Sequence, residues 1–174
     1  MTKHRTRLFA RILLTLLLGV GAAAQAQTGN RLTIALAKDL VTLDPTFAMD
    51  NYSQQVIDQV FDTLVTYASD GSLQPRLALD WSQLSPTEWR FTLRNGVVFH
   101  TGRALTADDV VWTMESMLSP ETKVPRQHLF MVESVEATGP HEVVFRLNEE
   151  YSPFLSVLAN RALSILPREV VEER

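Results

Sequence analysis

The chain has no cysteine. No disulfide can staple the fold, so its stability has to come from burial. Histidine is scarce: beyond residue 26 only His100, His128 and His141 occur, with no His-Glu-x-x-His and no close pair. A zinc site needs three or four ligands in compatible geometry, and this spacing supplies none. Also missing are a Gly-x-Ser-x-Gly elbow for a nucleophilic serine and a phosphate-cradling loop; the single Gly-x-Gly, Gly19-Val20-Gly21, lies in an N-terminal apolar stretch. Acid–base or nucleophilic chemistry requires a base or orienter beside the reacting group, and no motif identifies one. There is no internal repeat to suggest an interaction array. Long apolar runs are absent too: Ile12–Val20 falls far short of the roughly 20 residues that cross a bilayer.

What is present begins with Lys3, Arg5, Arg7 and Arg11 ahead of that run, followed by Ala24-Gln25-Ala26 with the small residues of a cleavage site. The pattern predicts a secretory signal peptide over residues 1–26 and a mature domain over residues 27–174. Those 148 residues suffice for one domain of ordinary size. Of 16 Lys+Arg, four lie in the leader; the remaining 12 face 20 Asp+Glu, a formal charge of −8. An acidic chain of this kind disfavours nucleic acid and anionic membrane surfaces as partners.

The densest structural signal runs from Trp89 to Trp112. Trp89, Phe91 and Leu93 alternate with Arg90, Thr92 and Arg94, the period of a strand with one buried face. Asn95-Gly96 predicts a hairpin turn with positive φ at both positions, leading into a short strand at Val97–Phe99. His100 is expected to tuck into that hairpin and hydrogen-bond its backbone. Thr106 and Asp109 have the spacing of a capping box, and Leu105 and Val110 that of a hydrophobic staple. Asp108 and Asp109 therefore read as helix-start residues that favour the dipole, not as paired catalytic carboxylates. Val110, Met114, Met117 and Leu118 form one apolar stripe, and Ser119-Pro120 ends the helix. Trp81, Trp89 and Trp112 fit core packing better than a ligand platform.

Elsewhere, Arg31–Ala37 alternates as a first strand would. A loop from Lys38 to Asp50 follows, in which Leu43-Asp44-Pro45 enforces extended backbone. Loops of this kind, held by a rigid scaffold, commonly carry small-molecule contacts. Asn51–Leu64 has helical apolar spacing with Asp50 or Asn51 as cap. A strand is expected within Thr63–Ala68, a turn at Ser69–Ser72, and an edge or connection at Pro75. Leu79–Leu84 leads into a turn at Ser85-Pro86. The polar stretch from Pro120 to Arg126 predicts a loop, and Phe130–Ala137 with Glu142–Leu147 a hairpin about Gly139-Pro140. Ser152-Pro153 opens a short helix to about Ala159. Ala162–Leu166 suggests a further strand and Pro167–Arg174 a further helix start.

The run Leu93-Arg94-x-Gly96-Val97-x-Phe99-His100-x-Gly102, then Leu105-Thr106-Ala107-x-Asp109-Val110, resembles the signature of the family 5 extracellular solute-binding proteins, the peptide- and nickel-type receptors of ABC importers. Leu73-Gln74-Pro75-Arg76-Leu77-Ala78 is similar to the Leu-x-Pro-x-Leu-Ala segment of the same family; Thr101 departs from it, standing where Asp is usual. The resemblance implies an α/β fold: the first lobe of a periplasmic-binding-protein-like receptor of type II, a mixed sheet with flanking helices. It also implies that the lobe is incomplete, with the second lobe and return segment absent. The implied activity is capture of a peptide or similar small solute, with the closed form handed to an inner-membrane ABC permease. Nickel chelates, opines, glutathione and short saccharides are further ligand classes in the family. The protein is then a monomeric binding protein without catalytic residues, cofactor or metal. Lacking a cysteine to lipidate, it is expected free in the periplasm. In the family the Leu-Asp-Pro loop borders the ligand cleft, which makes Phe47, Met49, Asn51 and Tyr52 the candidate ligand contacts. For Phe47 and Met49 the alternative is that they pack the loop onto the domain. Two rival functions are a truncated lobe that no longer binds and a secreted hydrolase, the latter disfavoured by the missing nucleophile and metal motifs.

Overall fold

The structure, a computed structural model, describes residues 32–119 and 128–172. The expected signal peptide, its cleavage site and the loop expected over Pro120–Arg126 lie outside the described residues. The chain divides between Ala37 and Lys38 into two units. Residues 32–37 have no regular structure, and the strand expected at Arg31–Ala37 does not form over them. Leu32 and Ile34 are 83% and 71% exposed. Alternation alone does not make a strand; a ladder partner must take up the backbone amides and carbonyls, and no described strand pairs with this segment.

In the second unit, helix α1 spans Asn51–Val60. Its N-cap Asp50 accepts from the amides of Tyr52 and Ser53 at 3.1 and 2.9 Å. The helix stops four residues before the expected Leu64, because Phe61 turns extended and the chain peels off into β1. Leu64 is fully buried all the same, which is why its spacing mimics a continuing helix. Strand β1 (Val65–Tyr67) pairs antiparallel with β2 (Leu73–Pro75) across a turn in which Gly71 has φ +84°. Pro75 closes the end of β2, as a residue without an amide donor should.

A four-stranded sheet follows, with β3 (Ala78–Ser85), β4 (Glu88–Leu93), β5 (Val132–Gly139) and β6 (Glu142–Leu147) in the order β3-β4-β6-β5. Every pair among the described strands is antiparallel, so the mixed sheet expected from the sequence is not what these strands form. Leu79–Leu84, expected only to lead into a turn, is thus part of a strand, and its pattern hides this because only Ala78 is buried. The β5–β6 hairpin forms as expected, turning at Pro140-His141.

Helix α2 (Ala107–Leu118) packs on this sheet, and the capping box at Thr106 and Asp109 is formed. Val110, Met114 and Met117 are buried in the core beside Phe91, Leu93, Val143 and Phe145. The short helix α3 (Phe154–Leu158) drives Phe154 into the same core. There its ring lies 5.5 Å from Phe145 and 6.3 Å from Phe91. Trp81 and Trp89 pack half-buried against this core, as expected, whereas Trp112, expected there too, is half-buried outside it.

Two further expectations fail for one reason. Asn95-Gly96 does not launch a hairpin: only Gly96 has positive φ, +74°, and Val97–Phe99 adds no strand. Both edges of β4 are already paired, with β3 and β6, so no ladder is open to it. The chain instead curls into a tight turn, where Leu105 N–H donates to Val97 C=O and Phe99 N–H to Arg103 C=O, each at 2.9 Å. His100 is exposed on this turn and not tucked into a hairpin. Likewise Ala162–Leu166 is no strand; a 3-10 turn at Arg161–Leu163 is followed by an extended run toward helix α4 (Arg168–Glu172). The amides of that run go to single acceptors, Ile165 N–H to Asp62 C=O at 2.9 Å and Leu166 N–H to the Thr113 hydroxyl at 3.1 Å.

Candidate functional site

The loop Lys38–Asp50 is irregular but pinned. Ser53, fully buried in the first turn of α1, accepts from the amides of Val41 and Thr42 at 3.0 and 3.3 Å. Asp44 accepts from the amide and hydroxyl of Thr46 at 3.0 and 2.6 Å, which closes a small turn around Pro45. Gln54 reaches back from α1 to donate to the Ala48 carbonyl at 3.0 Å. Arg161 in turn holds Gln54 at 2.6 Å and Asp58 at 3.0 Å, fixing α1 from the far end of the chain. Ser53→Ala is expected to cost about 1 kcal/mol, since two amides lose a partner but Val41 and Thr42 can turn to water. Hydrogen exchange should show the effect confined to those two amides; unchanged exchange would contradict the pinning.

Phe47 lines a cleft of about 560 Å³. Its walls come from six separate segments: the loop at Leu43–Phe47, the end of α1 and the two residues after it, Leu77, the turn at Val97–Leu105, helix α2 through Trp112, and the run Ile165–Val171. The lining is largely aliphatic and aromatic, and Leu43, Phe47, Val60, Val98 and Val171 are exposed there. Of its acidic groups, Asp62 is paired with Arg76 and Asp44 holds Thr46. Such a surface gains by burying apolar groups, at roughly 25 cal/mol per Å².

One corner of the cleft is tied by Arg103. Its guanidinium forks onto Asp109 at 2.9 and 2.6 Å and onto Glu169 at 3.0 and 2.8 Å, and Nη1 also donates to the Ala104 carbonyl at 3.1 Å. All five N–H donors of the group are used. The Phe99 ring lies 5.0 Å from the guanidinium carbon. Hydrogen bonds from Arg103 hold the Glu169 carboxyl down at about 2, from an ordinary 4.5. Because the folded value lies below the unfolded one, Glu169 contributes stability above about pH 4.5 and loses it as pH falls through about 2. Acid unfolding of the protein and of Glu169→Gln should therefore differ at neutral pH and converge toward pH 2. A constant difference across that range would refute the ion-pair origin.

Residues 72–173 match the family described as bacterial extracellular solute-binding proteins, family 5 Middle. The chain belongs to that family. It is 31% identical to the probable D,D-dipeptide-binding periplasmic protein DdpA of Escherichia coli, over 95% of this chain and 33% of that protein. It is also 31% identical to the HTH-type transcriptional regulator SgrR of Pectobacterium atrosepticum, over 79% of this chain and 24% of that one. Among solved structures, the oligopeptide-binding protein AppA of Bacillus subtilis, in complex with a nonapeptide, superposes with a TM-score of 0.68 at 27% identity, over 74% of this chain and 26% of that chain. The chain thus spans a quarter to a third of the length of these relatives. The α/β class and the receptor-like lobe expected from the sequence both hold.

Of the four candidate residues only Phe47 lines the cleft. Phe47, 46% exposed, reaches the cleft, whereas Met49, 72% exposed, projects to solvent and does not pack the loop down. Asn51 is exposed at the start of α1, and Tyr52 is half-buried. The amides at that helix start are already satisfied by Asp50, whose carboxyl the hydrogen bonds from Ser53 hold below its usual range. A solute carboxylate therefore does not find those donors free. Sequence reasoning missed Arg103, Ser53 and Arg161. A basic residue just ahead of a capping box was the one available signal for Arg103; nothing local marks the other two. Among the described residues no His, Asp or Glu cluster of three or more is arranged to hold a metal ion.

Proposed function

We propose that the protein is the periplasmic substrate-binding component of an ABC importer and captures a peptide or similar small solute without altering it. The observation that carries this reading is the pinned loop Leu43–Asp50, which presents Phe47 and Met49 to solvent beside an apolar cleft. A loop fixed by hydrogen bonds from a helix binds without first having to be ordered, which lowers the entropic cost of capture. Phe47, Met49, Asn51 and Tyr52 then form the solute-facing edge. In the whole protein the solute is held between two lobes, and its better fit to the closed form drives closure, which an inner-membrane permease recognises. The leader directs export, and the protein acts as a soluble monomer. The relatives named for dipeptide and oligopeptide binding support peptides as the solute class.

The test is to purify the protein from its own periplasm and record its native mass spectrum, then repeat with a peptide mixture added. A peptide adduct that is released intact on denaturation supports the reading. Peptides returned cleaved would identify a hydrolase. Absence of any adduct, together with a melting temperature unmoved by the peptides, would leave a lobe that does not bind.

A further inference from the structure

We propose that Arg103 is a positioning residue that fixes the walls of the apolar cleft against one another and so sets the size of the apolar group the cleft admits. The second half of this statement rests on the cleft being the solute-binding surface proposed above; the first half does not.

The residues that Arg103 joins are far apart in sequence. Asp109 opens helix α2, which contributes Trp112 and Met117 to the cleft, and Glu169 lies in helix α4, which contributes Val170 and Val171. Arg103 itself belongs to the turn whose Val98 and Phe99 form a third wall. Three walls therefore meet on one planar group. Each carboxylate is held by two parallel N–H donors, so that both the distance and the angle between the walls are constrained. The Thr101 hydroxyl adds a bond to Glu169 at 3.2 Å, drawing the turn toward α4 from its other end. Asp109 is anchored in its own right, accepting from the Thr106 amide at 2.9 Å, and its side chain is only 5% exposed. The buried end of the knot is thus fixed to the core, and α4 is held through the exposed end.

Lysine cannot replace this group. It keeps the charge, but a single ammonium with three donors has no fork to align two carboxylates. A role that needed only positive charge would survive Arg103→Lys, and a role in geometry would not.

Because the chain has no cysteine, Val98→Cys and Val171→Cys can be introduced into it and spin-labelled without background. Both positions line the cleft and both are exposed. The interlabel distance distribution is expected to be narrow in this parent, and broader and longer when Arg103→Lys or Glu169→Gln is added. Glu169→Gln breaks only the exposed end of the knot, so the outcome does not depend on a variant that fails to fold. Distributions that stay the same in both variants, whatever happens to the melting temperature, overturn the proposal. Uptake of Nile red by the unlabelled proteins reads the second half, and a loss of about fivefold or more in affinity is expected in both variants. If the parent takes up no Nile red, the cleft is not a binding surface and the size-setting half is overturned with it. The label distances still decide the first half.

Discussion

Phe154→Ala is expected to destabilise the protein by about 3–5 kcal/mol, near the upper limit for a single core truncation. Phe154 is fully buried and touches three other rings, lying 5.9 Å from Trp89, 6.3 Å from Phe91 and 5.5 Å from Phe145 by centroid. The last two contacts are edge-to-face, the geometry that the ring quadrupoles favour. The partners come from β4 and β6, which are themselves paired, so the sheet cannot move inward to fill the space. The cost therefore combines lost burial with an unrelaxed cavity. Urea denaturation should show a large fall in midpoint with an unchanged slope. A loss below about 1 kcal/mol would mean that α3 is peripheral to the core. Phe154→Leu, which keeps much of the volume, should recover most of the stability.

Asp109→Ala is expected to cost about 2–4 kcal/mol. Three contributions add. The acid half of the capping box is lost, leaving the Thr106 amide without its acceptor. A side chain only 5% exposed is removed, opening a small void. Arg103 loses one of its two carboxylates, but at 40% exposure it keeps Glu169 and can turn partly to water, which sets the lower end of the range. Arg103→Ala should cost at least as much, since it strands a nearly buried carboxylate without its cation. The double variant separates these terms: if both residues act through their mutual bond, it should be less destabilised than the sum of the single variants. Strict additivity would show that Asp109 acts as a cap alone.

What the residues made plain was whatever closes within a few positions of itself. Thr106 and Asp109 are three residues apart and their bond needs no partner from elsewhere, so the start of α2 was legible, as were the Asp50 cap and the β5–β6 hairpin. The family was equally legible, because its signature is a continuous run from Leu93 to Val110. The errors fell where the backbone depends on a distant partner. Arg31–Ala37 alternates well, yet no described strand takes up its hydrogen bonds. Asn95-Gly96 is a strong turn signal, but both neighbours of β4 were already chosen by pairings with β3 and with β6, from some 50 residues further on.

The candidate site divides in the same way. The sequence by itself determined the family, the helix cap that ends the loop before α1, and which residues that loop offers. Only the tertiary structure decided that Phe47 alone of the four candidates joins the cleft, that six segments form its walls, and that Arg103 ties a turn to a helix 66 residues away. The reason is physical. Caps and turns are satisfied by neighbours along the chain, whereas a cleft wall and a forked ion pair exist only after packing has brought remote segments within about 3 Å of one another.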